Sequence, residues 1–209
     1  MTGTGGVPTV SASHWRRPGW AWCALALVFA LGSALAHGRP DAALDWQPGL
    51  WPREPWRAFS AVFVHYSTLH LAGNAAGLAL AAALGAAARA PSRLAWAWLA
   101  AWPLTQIGLL SQPALLHYGG LSGVVHAGVA IVCVHLLFAS HRALGGAVLA
   151  GGIIKVLSET PWAAPLRYPP GWDIAIAPLA HATGLIAGTV CAVVAEVLAR
   201  AGQQRPTRQ

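Results

Sequence analysis

Apolar stretches recur along this chain, all but one of them long enough to cross a bilayer, and nothing else constrains its fold as strongly. They run over Trp20–Ala36, Leu69–Ala88, Leu94–Leu110, Ser122–Ser140, Ala143–Leu157 and Ile176–Ala199. A helix needs roughly 17–25 apolar residues to cross a hydrocarbon core about 30 Å thick. Only 9% of the 209 residues are charged, whereas a soluble domain carries about 25%. The expectation is an all-α membrane protein with six spans. No long-period repeat interrupts them, so they form one domain over residues 20–199, between a polar leader (1–19) and a tail (200–209).

The loop between the first two spans, residues 37–68, is rich in proline and tryptophan and contains WQPGLWPREPW. That composition suits a segment at the water–lipid boundary. GNAAG from Gly73 and GLIAG from Gly184 suggest helices that approach closely through small residues. Arginine sorts by side. Arg16, Arg17, Arg89, Arg93, Arg142, Arg200, Arg205 and Arg208 fall on one side of the spans, and Arg39, Arg53, Arg57 and Arg167 on the other. The positive-inside rule then places both termini in the cytoplasm. Arg16-Arg17, an apolar core and Ala34-Leu35-Ala36 also fit a cleavable secretory signal, but the stretch is long for one and is read as a retained span.

The basic excess, 13 residues against 6 acidic, forms no stripe interleaved with aromatics, so nucleic acid is not an expected partner. Cys23, Cys133 and Cys191 lie in apolar segments without CxxC spacing. They imply neither a disulfide framework nor a zinc site.

In this topology spans two, four and six all run inward from outside. Their outer ends carry His70 with Asn74, Ser122 with its flanking glycines in GGLSG, and His181 in AHATGLIAG. Polar groups inside a span are costly and mark function by default. A serine hydroxyl is a weak nucleophile until a base takes its proton, and histidine does so near neutral pH. Ser122 is therefore the candidate nucleophile and His181 the candidate base. Backbone N–H groups at the helix start beside Ser122 favour an oxyanion. His70 and Asn74, four apart on one helix face, are candidate donors to the same hole.

A third, acidic member is not evident. Glu196 lies 15 residues past His181, roughly 22 Å along a helix. Asp173 in the preceding loop stays a candidate, and a Ser–His dyad is the favoured reading. His135 falls about 220° around the helix from Ser122 and is read as unrelated packing. Lys155 and Glu159, spaced i, i+4, are either a self-neutralising pair or a contact to the substrate or its gate.

From Trp56 to Gly188 the chain resembles the rhomboid intramembrane serine proteases. Trp56-Arg57 is similar to a loop motif of that family. His65–Asn74 (HYSTLHLAGN) matches its HxxxxHxxxN pattern, Gly120–Gly123 (GLSG) its GxSG, and His181 with Gly184 and Gly188 its last-span pattern. The resemblance implies a six-span rhomboid-like bundle and a Ser122–His181 dyad. His70, Asn74 and the Ser122 amide would bind the oxyanion beside Gly120, with His65 structural. It implies a transmembrane segment as substrate, contact with membrane lipid, and no cofactor or metal.

His126, where rhomboids commonly carry an aromatic residue, and the KVLSE stretch (Lys155–Glu159) are similar to the rhombosortase subgroup. That subgroup is associated with cleaving the C-terminal Gly-Gly sorting helices of exported bacterial proteins. The implied setting is the bacterial inner membrane with the active site facing the periplasm. His126 is expected to pack on His181 or bond substrate rather than act as base. A catalytically inactive scaffold that binds membrane helices is the alternative. A histidine-ligated haem or quinone protein finds no support, because paired ligand spacing and HExxH are missing.

Overall fold

A hydrocarbon core offers no water to backbone N–H and C=O groups, and a helix satisfies them within one segment. The apolar stretches follow that rule in a computed structural model, which describes residues 19–39 and 41–204. Arg16 and Arg17 of the leader and Arg205 and Arg208 of the tail lie outside the described residues. The helices are α1 (Trp20–Ala36), α2 (Arg57–Ser60), α3 (Thr68–Ala87), α4 (Ser92–Ile107), α5 (Ser122–Phe138), α6 (Arg142–Ser158) and α7 (Pro178–Gln203). All but α2, a single turn in the long loop, coincide with the six apolar stretches. The described residues contain no strand, only isolated bridges pairing Trp46 with Tyr118 and Arg167 with Ile176. By length and composition, α3 with 20 residues and α7 with 26 are able to cross a membrane. α1 and α5 are shorter apolar helices of 17 residues.

Local chemistry sets the helix ends. Ser67 Oγ accepts the His70 N–H at 3.0 Å, capping α3 with one of the residue types suited to that position. Pro178 opens α7, where its missing N–H costs nothing because the first-turn donors lack partners anyway. α4 contains Pro103 and tightens into a 3₁₀ turn over Gly108–Ser111, so the α-helix stops short of the Leu110 boundary expected from hydropathy.

α5 is the central post, packed against α3, α4, α6 and α7. Its contact with α7 is backbone to backbone. A Cβ on Gly184 would overlap the Gly123 carbonyl, and one on Gly188 would overlap that of Ala127. Side chains there would push the helices apart, and with them Ser122 from His181. On another side of the core, the indoles of Trp22 and Trp98 stack with centroids 4.2 Å apart. Each spends its N–H on a carbonyl, Ala81 at 3.1 Å and Val124 at 2.7 Å. Trp22 and Phe29 of α1 are fully buried in this cluster, so α1 is part of the core.

Far from Ser122, Glu196 of α7 ties three helices together. It accepts from Arg93 of α4 at 3.0 and 3.1 Å and from His135 of α5 at 2.7 Å. His135 is thus a hydrogen-bond partner of Glu196, not mere packing.

Substituting Gly184→Val should lower the thermal midpoint of the purified protein in detergent, since overpacking costs about 1–3 kcal/mol or more. Gly151, also helical but with nothing within 4 Å of a Cβ, is the control. Gly151→Ala should be neutral or raise stability by up to ~1 kcal/mol.

Candidate active site

The loop before Ser122 is held by the long loop that precedes α3. Arg57, buried at the head of α2, donates to the carbonyls of Ala42 at 3.0 Å and Asp45 at 2.7 Å. It also pairs with the carboxylates of Asp45 and Glu54. The Asp45 carboxylate further accepts from His117 Nδ1 at 2.7 Å. Next to Asp45, Trp46 bonds Tyr118 in both directions, at 2.7 and 2.9 Å, and Gly120 N–H donates to Ala61 O at 2.9 Å. These contacts fix residues 118–120 and so the point at which α5 starts. Gly120 has φ +130°, and a Cβ there would lie 2.7 Å from His70 Nε2. Only glycine meets both conditions at this position.

Ser122 is the first residue of α5, and His181 lies in the first turn of α7. Between them the backbones nearly touch, for a Cβ on Gly123 would lie 2.7 Å from Ala180 O. The outcome is a hydrogen bond between Ser122 Oγ and His181 Nε2 at 3.0 Å. His70 and Asn74, both 7% exposed, face the same space from α3. Asn74 Nδ2 has no hydrogen-bond partner among the described residues, and a Cβ on Gly120 would lie 3.5 Å from it. His65, outside α3, packs its ring on His70 with centroids 4.9 Å apart. Burial pushes the His65 imidazole below its usual range, with the Phe63 carbonyl opposing. Burial likewise pushes the Tyr118 phenol up to about 12, with Ser122 opposing, so Tyr118 stays neutral.

A carboxylate does reach His181, and it comes from the end of α6. Glu159, the residue just past that helix, accepts from His181 Nδ1 at 2.6 Å and from Lys155 Nζ at 2.9 Å. Burial alone would raise the Glu159 carboxyl. Hydrogen bonds and charge from His181 and Lys155 outweigh it and hold the group down at about 2. Asp173 does not take this place, since it accepts from Ser67 Oγ at 2.8 Å. Glu196 is committed to Arg93 and His135. Measuring only along α7 missed a carboxylate arriving from a neighbouring helix. The available signal was the i, i+4 spacing of Lys155 and Glu159 at the end of a span that finishes level with Ser122.

His126, one turn below Ser122, stacks on His181 with centroids 4.4 Å apart and planes 19° from parallel. Its Nδ1 bonds the Ser122 carbonyl at 2.7 Å, and its Nε2 lies 3.0 Å from Lys155 Nζ. All these groups line a cavity of about 390 Å³ between α3 and α6. Pro169, Trp172 and Ile176 of the α6–α7 loop also line it. A Cβ on Gly73 would lie 2.7 Å from the Trp172 ring, so this loop meets α3 closely there. No group of three or more His, Cys, Asp or Glu able to hold a metal ion occurs among the described residues.

A helical chain carrying this serine–histidine contact invites comparison with known families, and a model of the Rhomboid domain matches residues 52–196. The chain belongs to the rhomboid family. Rhomboids are integral membrane proteins, generally serine proteases that act within the membrane on transmembrane segments, and the family includes inactive homologues. No curated protein matches this rhomboid over its sequence.

The Arg57 cluster carries its own expectation. Arg57→Ala leaves Asp45, 2% exposed, with a buried charge short of its main partner, a change that costs about 3–5 kcal/mol. Thermal unfolding should show a drop of that order.

Proposed function

We propose that this rhomboid is an active intramembrane serine endopeptidase, with Ser122 as nucleophile and His181 as general base. The 3.0 Å contact between Ser122 Oγ and His181 Nε2 carries the reading. As Oγ attacks the scissile carbonyl carbon, its proton passes to Nε2 and the carbonyl π pair moves onto oxygen. The proton then goes from Nε2 to the leaving nitrogen as the C–N bond breaks, leaving an ester on Ser122. Water, deprotonated by the same nitrogen, hydrolyses the ester. The unpartnered amide of Asn74, the His70 Nε2 beside Gly120 and the amides at the start of α5 are the oxyanion donors. Such donors act strongest where water is excluded and no reorganisation is needed.

The six long helices form the transmembrane bundle over residues 20–199, with α1 retained. The burial of Trp22 and Phe29 supports that reading. The arginine asymmetry supports cytoplasmic termini, and the rhombosortase-like reading extends this to a bacterial inner membrane with a site that opens toward the periplasm. The substrate is a transmembrane segment admitted sideways and unwound, because an extended backbone is what reaches Ser122. His126 and the Lys155–Glu159 stretch support the rhombosortase-like subgroup, and with it a C-terminal Gly-Gly sorting helix on an exported protein. Glycine weakens a helix by about 1 kcal/mol relative to alanine, which eases unwinding at the scissile bond.

The test is co-expression with an exported protein bearing a Gly-Gly stretch, an apolar helix and a basic tail. Processing should fall to background in Ser122→Ala and in His181→Ala. Cutting that persists in both variants overturns the assignment. Failure of a fluorophosphonate to label Ser122 in folded protein would instead identify an inactive homologue that holds membrane helices. Asn74→Ala should lower kcat by about 10²–10³-fold, as loss of an oxyanion donor does, with little change in KM.

A further inference from the structure

We infer that Glu159 is a positioning residue for His181, so that the site works as a Glu159–His181–Ser122 chain and not as a two-residue dyad. The inference rests on the serine–histidine reading above and assigns the other side of the histidine ring.

The argument begins with which atoms carry protons. The Ser122 carbonyl only accepts, so His126 Nδ1 at 2.7 Å carries the hydrogen and His126 Nε2 is left as the acceptor. Lys155 Nζ, 3.0 Å from that Nε2, donates to it. The Glu159 carboxylate also only accepts, so His181 Nδ1 at 2.6 Å donates to Oε2 while Lys155 donates to Oε1 at 2.9 Å. Lys155 Nζ lies 3.0 Å from His181 Nδ1 as well. Both are donors, and they converge on the two oxygens of one carboxylate. With its hydrogen on Nδ1, His181 presents a lone pair at Nε2 to the Ser122 hydroxyl, 3.0 Å away. That is the tautomer a general base needs.

Glu159 fixes the ring in two ways. It holds the hydrogen on Nδ1 before reaction, and its charge lies beside the imidazolium that forms once Nε2 takes the serine proton. Its side chain is 16% exposed and that of His181 is 8% exposed, so water screens the contact weakly. Other ionisable groups near the histidine are His126 of α5, Lys155 of α6 and His70 of α3. None of them supplies a negative charge. The competing explanation is that Glu159 only neutralises Lys155 on its own helix.

The experiment uses the full-length protein in detergent and a fluorophosphonate that phosphonylates Ser122 with loss of fluoride. Glu159→Gln should slow labelling by on the order of 10²–10⁴-fold, because an amide of the same shape no longer holds the tautomer or the charge. The acidic limb of the rate–pH profile should move to lower pH by on the order of 1–3 units, since the charge favouring the protonated ring is gone. Glu159→Asp, which keeps the charge farther away, should fall between the two. An Asp variant no faster than Gln overturns the inference; should the Gln variant fail to fold, an Asp variant that labels at the parental rate with an unmoved acidic limb overturns it. A Gln variant that labels at the parental rate with an unmoved acidic limb overturns it too. So does full recovery in Glu159→Gln/Lys155→Met, because the carboxylate would then serve only the lysine. Absence of Ser122 labelling in the parent protein would sink the serine–histidine reading itself, a result distinct from all of these.

Discussion

The site depends on how closely α5 and α7 can approach. In lipid no hydrophobic force pulls helices together, because the surrounding chains are as apolar as the helices themselves. Association rests on packing, and packing here means backbone on backbone at Gly123, Gly184 and Gly188. Gly184 and Gly188 lie one and two turns beyond His181, and Gly123 follows Ser122 directly. The smallest side chains therefore sit beside the two groups that have to meet. A methyl group at any of these three glycines would come within 2.7 Å of a facing carbonyl oxygen, so the helices could not keep this spacing.

Polar groups at that depth are more tolerable where they have a defined counterpart. Lys155 and Glu159 cancel in charge, and the imidazoles of His126 and His181 each donate through one nitrogen and accept through the other. The ring runs from Ser122 through His181, Glu159, Lys155 and His126 back to the Ser122 carbonyl. Such a network rigidifies when every member is satisfied. Asn74 Nδ2 stands outside it, with no partner among the described residues.

The helices were legible because apolar length and capping chemistry are local properties. Boundaries drifted by a few residues, as where the 3₁₀ turn that follows Pro103 ends α4 early and where α7 runs on to Gln203. Ser122 and His181 could be paired from topology, since both lie at the same end of helices running the same way. Glu159 could not be placed, because a hydropathy pattern gives the depth of a residue and not its bearing around the bundle. Distance along one helix excluded Glu196 correctly and said nothing of a carboxylate on the next. The Arg57–Asp45 anchor was hidden for a related reason. It links residues of one irregular loop, where no periodicity reports which side chains turn inward.

The two ends of α7 carry one device twice. Near its start His181 meets Glu159 of the α6 terminus, and far along it Glu196 meets His135 of α5. Sliding α7 by a single residue, about 1.5 Å, would break both contacts together, and the glycine seam blocks rotation about its axis. The last helix is thus doweled at top and bottom, a stationary rail. Trp172 of the α6–α7 loop, by contrast, meets α3 through a ring set against Gly73, a contact of a different kind from that doweling.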